Sequence, residues 1–230
     1  MESGSLQLNG ISWTVFRMGE TTWLLQPNAE RRLLDVIHQA AFLLEFSEIQ
    51  GLTDVIPAYE SLTVIFNSSD INVKEVLSDL ETKNIESELN SKTHEIKVCY
   101  ELGMDWKEME TKTGLTKEEI TFIHSSREYS IAMMGFLPGF IFLDGLDDRI
   151  SVSRKENPRT KIPAGSVGIG GNQTGIYSLE SPGGWQIIGR SPSSFFDITS
   201  EPPTKFRPGD KVKFVRITKA EFETQENRNG

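Results

Sequence analysis

The stretch that decides the fold begins GFLPGFIFLDGL at 135–146 and continues NPRTKIPAGSVGIGGNQTGIYSLESPGGWQIIGR at 157–190. A glycine recurs every few residues, often beside Pro, Ser or Gln, and no helical period runs through it. Each glycine omits a Cβ and tolerates φ > 0, which helix and strand interiors rarely need. The pattern predicts short strands and sharp turns, with a backbone that closely approaches itself or a ligand. Arg159, Ser166, Gln173, Tyr177, Ser181, Trp185 and Arg190 stand between the glycines. Polar side chains on a glycine-shaped wall are a common way to build a binding site. Glycines for barrel turns and bulges are the first reading, and direct phosphate cradling is the minority one. GSVGIGGNQTG has no GxxxxGK[ST], because no Lys follows, and Gln173 breaks GxGxxG. No helical pattern follows to receive a phosphate.

Outward from this stretch, the chain reads as two parts. After a polar run at 82–92 (TKNIESELNSK), taken as a linker, come a strand at 95–100, two short helices and then short strands with turn signals. That order predicts a closed or nearly closed β-barrel over 93–218. Before the linker the order is ββαββα, an α+β layer with a small antiparallel sheet and helices on one face, filling 1–92 with the linker included. Its first hairpin joins 11–17 to 21–25 through Gly19. Its first helix, 30–46, places Leu33, Ile37, Ala40 and Leu44 on one stripe. Strands follow at 54–56 and 62–66. The next helix carries Val73, Val76, Leu77 and Leu80 on one face.

Three helix starts share one grammar: Asn72 with Glu75, Asp105 with Glu108, and Thr116 with Glu119, each with a hydrophobic staple. Gly114 ends the middle helix. His94 falls in the linker. Residues 219–230 read as a polar, frayed tail.

Composition narrows the class. The chain has 230 residues, 37% hydrophobic and 25% charged, the profile of an ordinary soluble protein. Apolar runs are too short for a bilayer and the N-terminus has no signal-peptide pattern, so a cytoplasmic location is expected, with no membrane partner. A lone cysteine, Cys99, excludes an internal disulfide framework and a cysteine zinc site. No HxH, HExxH or acidic cluster is present, so no metal is expected. A formal charge of −9 disfavours nucleic acid as a partner.

GFLPGF at 135–140, NPRTKIPAGSVGIGGNQTGIY at 157–177 and SPGGWQIIGRSP at 181–192 together resemble the bacterial 5-oxoprolinase B-subunit family, also called allophanate hydrolase subunit 1. This is the carboxyltransferase subdomain C and D type, which includes a sporulation histidine-kinase inhibitor. PAYESLTV at 57–64, Cys99-Tyr100 and TGL with the following His124 extend the resemblance over most of the chain. It implies a cyclophilin-like barrel for the second part. It further implies a component that works with the A and C subunits of a complex in ATP-dependent cleavage of 5-oxo-L-proline to L-glutamate. ATP is used by that complex at an unknown site, and the chain alone binds no cofactor. The alternative is an inhibitor that binds a sensor histidine kinase. Departures from the family pattern are Leu137 for Ala, Phe142 for Tyr, Asp144 for Gly and Ser153 for Pro; they bear on fine specificity rather than on the fold.

Candidate substrate-binding residues are Arg159, Gln173, Tyr177, Arg190 and His124. The guanidinium forks of Arg159 and Arg190 suit a carboxylate, against the plain alternative of surface ion pairs. Gln173 and Tyr177 offer amide and phenol groups, against satisfaction of a tight turn. His124 offers a donor, against a helix-terminal histidine favoured by the macrodipole. Phe136, Pro138, Phe140 and Trp185 are candidates for a partner-binding surface or pocket wall, against ordinary core lining. Ser166 and Ser181 lack a GxSxG elbow, so no serine triad is expected and the catalytic residues stay unassigned.

Overall fold

The computed structural model describes residues 3–30, 32–78, 80 and 91–229. The chain divides into two compact units, Met1–Ser91 and Lys92–Gly230. Residues 82–90 of the expected linker lie outside the described residues.

The first unit is a five-stranded sheet in the order β1-β2-β3-β5-β4, antiparallel throughout. Its strands are β1 (Ser3–Leu8), β2 (Ile11–Arg17), β3 (Thr22–Pro27), β4 (Leu52–Pro57) and β5 (Leu62–Phe66). Alternation sets which face is buried. Trp13 and Val15 of β2, Trp23 and Leu25 of β3, and Leu62, Val64 and Phe66 of β5 all point into one core. Helix α1 (Leu33–Phe46) covers that face with Ile37, Ala40, Leu43 and Leu44. Strand β1 is absent from the sequence reading. Its hairpin signal is Asn9-Gly10, where both residues hold positive φ, 50° and 70°. Helix α1 opens at Leu33 rather than residue 30, because Arg32 is left-handed at φ 54°. Helix α2 (Val73–Leu77) is a short turn at whose start Asn72 makes no side-chain cap.

The second unit is built on a seven-stranded mixed sheet, order β13-β10-β11-β8-β7-β14-β6, with a two-stranded ribbon of β12 and β9. The strands are β6 (Thr93–Val98), β7 (Glu128–Met134), β8 (Ile141–Asp144), β9 (Arg159–Ile162), β10 (Ser166–Gly170), β11 (Gln173–Ile176), β12 (Ser181–Gly183), β13 (Gln186–Arg190) and β14 (Lys211–Arg216). Among the described residues, only β14 and β6 pair in parallel. The sheet curls until its edges meet. Cys99, just past β6, and Arg190, the end of β13, exchange backbone hydrogen bonds of 2.8 and 3.1 Å. The curl encloses Val98, Ile131, Leu143, Val167, Ile169, Ile176, Ile188 and Phe214.

Helices α3 (Trp106–Thr113) and α4 (Lys117–Ser125) pack against this unit. Gly114 ends α3 at φ 72°, and Thr116 with Glu119 forms a full capping box for α4. Two expectations are corrected. His94 is not in a linker; it lies in β6, with Nε2 2.8 Å from Asp210 Oδ2. Residues 219–229 are not frayed. They form helix α5 (Lys219–Asn229), which Thr218 and Glu221 cap reciprocally and which buries Phe222 beside Cys99 and Ile217. A single apolar side chain in a polar run was too weak a pattern to show this from sequence.

Candidate functional site on the outer face of the curled sheet

The glycine-rich stretch folds into β9 to β13, and strand alternation sorts its side chains. On β11, Thr174 and Ile176 point into the core, while Gln173, Gly175 and, just beyond, Tyr177 face outward. Phe140, Tyr177, Trp185, Ile187 and Ile162 form a separate apolar cluster on this outer face, with Leu137 and Phe142 partly exposed against it. The rings meet edge to face: Phe140–Tyr177 at 4.9 Å, Phe140–Trp185 at 5.7 Å and Phe142–Trp185 at 5.8 Å.

The glycines explain how a tryptophan fits here. A Cβ at Gly170 would sit 2.7 Å from the Trp185 ring. One at Gly175 would sit 2.7 Å from the Ile141 carbonyl and 3.0 Å from the same ring. The wall is therefore glycine because the indole lies directly upon it.

Beside the cluster is a part-buried ionic network, centred on the buried Asp105, that the sequence reading missed. Asp105, expected to cap α3, makes no cap. Its carboxylate accepts from Arg159 Nη1 at 2.8 Å, Arg159 Nη2 at 2.5 Å, Lys155 Nζ at 3.0 Å and the Ile187 N–H at 2.7 Å. Burial pushes the Asp105 carboxyl up, but the Arg159 fork, the Ile187 N–H and Lys155 outweigh it and hold it below its ordinary value. Glu108 accepts from Lys112, Lys155 and the Gln186 amide, and these bonds bring it down to about 2. The amide oxygen of Gln186 is buried without a partner. The signal for this network was present as Asp105 and Glu108 three apart, but that spacing equally describes a capping box.

The sequence candidates separate in space. Arg159 and Tyr177 are brought together, close enough for the guanidinium to oppose the rise that burial causes in the Tyr177 pKa. Gln173 is half-buried at the start of β11, opposite Gly170. Arg190 is at the far end of β13. Its Nε donates to the Ala164 carbonyl at 2.8 Å, it pairs with Glu226 at 2.9 Å, and it lies over the Phe222 ring.

His124 is fully buried and stacked on Phe214. Thr174 Oγ1 donates to the Gly168 carbonyl at 3.0 Å, so its lone pair accepts from His124 Nε2 at 2.9 Å. Nδ1 is then the acceptor for the Tyr100 hydroxyl at 2.8 Å. Both ring nitrogens are committed, the neutral Nε2–H tautomer is fixed, and burial lowers the pKa to about 3. His124 thus ties α4 to the back of the glycine wall.

Of the partner-surface candidates, Phe136 and Pro138 are exposed, Phe136 at 66% and with φ 67°, whereas Phe140 and Trp185 are buried. Ser178 Oγ donates to the Pro138 carbonyl at 2.6 Å and holds the loop on which Phe136 projects. A separate cavity of about 890 Å³ lies against α4, between Phe122, Arg127, Asp147, Arg149 and Arg216. None of the sequence candidates lines it, and its Arg149 and Arg216 already pair with Asp147 and Glu118.

The site is thus a glycine-walled aromatic face with flanking ion pairs on a curled mixed sheet. The chain belongs to the family described as carboxyltransferase domain, subdomain C and D, whose model matches residues 13–206. It is 37% identical to the 5-oxoprolinase B subunit of Bacillus subtilis, over 92% of this chain and 96% of that protein. A conserved uncharacterized protein from Pyrococcus horikoshii, PH0987, is 40% identical, with a TM-score of 0.56, covering 90% of this chain and 99% of that one. The structure of TTHA0988 superimposes with a TM-score of 0.73 at 30% identity, covering 85% of this chain. The match spans only 40% of the longer TTHA0988 chain.

Proposed function

We propose that this chain is the B subunit of a 5-oxoprolinase, acting with homologues of the A and C subunits to open 5-oxo-L-proline to L-glutamate at the expense of ATP. The observation that carries this reading is the identity with the Bacillus subtilis B subunit over nearly the whole length of both proteins. On this reading the second unit is a cyclophilin-like barrel closed at Cys99–Arg190, and residues 82–92 join it to the first. The reaction attacks an unstrained lactam, so it needs an activated amide and donors placed where the oxyanion develops. The half-buried Gln173 amide, at the rim of the aromatic face, is such a donor. Tyr177 shapes the face from beneath, buried among Phe140 and Trp185. Arg159, Arg190 and His124 hold the framework that keeps this face in register.

The exposed Phe136–Pro138 loop is the surface proposed for docking of another component of the complex. A histidine kinase is the competing occupant and an outcome of the test. Co-expression with the A and C subunits, followed by measurement of ATP-dependent glutamate release, should give turnover only when all three are present. Turnover by this chain alone, or its co-purification with a histidine kinase in place of the other two components, would overturn the reading. Phe136→Asp should leave melting unchanged and weaken co-purification of the docked component.

A further inference from the structure

The cationic side chains around the aromatic face are nearly all spoken for. Arg159 and Lys155 hold Asp105 and Glu108, Lys161 pairs with Glu180, and Arg190 pairs with Glu226. Arg154 is the exception. It is exposed, and among the described residues its guanidinium pairs with no carboxylate; its contact is the Trp185 ring, 5.6 Å from the centroid. Its backbone is pinned on both sides. The Ser153 carbonyl accepts from the buried Gln186 amide at 3.1 Å, and the Lys155 N–H donates to the Gly184 carbonyl at 2.6 Å. Just upstream, Val152 bridges to Gly171 in the β10–β11 turn, and Gln173 opens β11 on the other side of that turn. Arg154 and Gln173 thus flank the same edge of the aromatic face, and Phe142 lies opposite Gly175 beside them. The charge of Arg154 also reaches the Tyr177 hydroxyl.

A planar fork resting on an aromatic ring, held by a fixed backbone and lacking an internal counter-ion, is suited to bind a carboxylate. We propose that Arg154, and neither Arg159 nor Arg190, anchors the carboxylate of the ligand. Gln173 then sits along the same edge to meet the lactam, and Arg154 distinguishes a carboxylate-bearing lactam from an uncharged one. The identity of the lactam rests on the reading of the chain as part of a 5-oxoprolinase. The carboxylate preference itself rests on the geometry.

The test uses the full chain and two probes, L-5-oxoproline and 2-pyrrolidinone, the same ring without the carboxylate. Titrations follow the indole N–H signal of Trp185, assigned by through-bond NMR. The wild type should bind L-5-oxoproline ~10- to 100-fold more tightly than 2-pyrrolidinone, the range expected of one charge-assisted contact. Arg154→Gln should erase that preference without shifting the melting temperature. In the complex reconstituted with the A and C subunits, the same variant should raise KM by a similar factor and leave kcat nearly unchanged. No response of Trp185 to L-5-oxoproline, or an undiminished preference in Arg154→Gln, would overturn the assignment of Arg154. So would a complex that turns over with an unchanged KM, in which case the 5-oxoprolinase reading stands. If the complex is inactive while the chain shows an Arg154-dependent carboxylate preference, the anchor stands and the 5-oxoprolinase reading falls.

Discussion

Replacing Asp105 should test whether Arg159 is framework or ligand clamp. The Asp105 side chain is 3% exposed and takes four hydrogen bonds. Asp105→Ala would orphan the buried Ile187 N–H, which costs about 1–3 kcal/mol. It would also leave Arg159 and Lys155 without their shared counter-ion. Those two side chains are 23% and 20% exposed, so water relieves part of that cost. Breaking a buried pair by removing one partner typically costs about 3–5 kcal/mol, and Asp105→Ala is expected in that range. Arg159→Ala leaves Asp105 with Lys155 and Ile187, so it should cost less, about 1.5–3 kcal/mol. At roughly 2–4 °C per kcal/mol for a chain of this size, both should melt visibly earlier. The double variant should cost less than the sum of the two, because both remove the same contact. Urea denaturation followed by circular dichroism gives all three values. The ionic bond also sets a pH dependence. The folded-state pKa of Asp105 lies below its ordinary value, so its contribution is present at neutral pH and is lost as pH falls through the acid range. If Arg159→Ala kept its urea midpoint while the assembled complex lost turnover, the guanidinium would be free for a ligand and the assignment of Arg159 to the framework would be refuted.

Two further outcomes follow from the site. His124 is held at a pKa of about 3 against 6.5 unfolded, so the unfolded chain takes up the proton first as pH falls. Stability from this residue should be complete above pH 6.5 and decline at about 1.4 kcal/mol per pH unit below it. His124→Gln should flatten the pH 6.5 to 4.5 part of the urea-midpoint profile, and an unchanged slope there would show that His124 protonates without penalty. Gly175→Ala should destabilise by about 1–3 kcal/mol, because its methyl meets the Ile141 carbonyl and a buried indole that cannot both move. Wild-type melting in Gly175→Ala would mean that Trp185 is looser than its packing suggests.

The sequence by itself determined what local periodicity and covalent stiffness determine. Alternation placed β2 and β5, the three-and-four stripe placed α1, and the Thr116–Glu119 spacing placed the start of α4 within one residue. The glycine-dense stretch showed that some backbone must be approached closely. It did not show by what, since an indole and a phosphate demand the same missing Cβ. That choice belongs to Trp185, which reaches Gly170 and Gly175 only once β10, β11 and β13 are aligned.

The same limit governs the charged residues. Asp105 followed by Glu108 reads as a capping box from sequence, and only the arrival of Arg159, 54 residues later, turns its carboxylate away from the helix end. Arg159 and Arg190 stood out because they lie in recognisable motifs, yet long-range partners consume both. Arg154 carried no sequence signal, and what singles it out is the lack of such a partner. Whether a guanidinium is free is a difference between all the contacts it can make and those the fold supplies. That sum exists only in three dimensions.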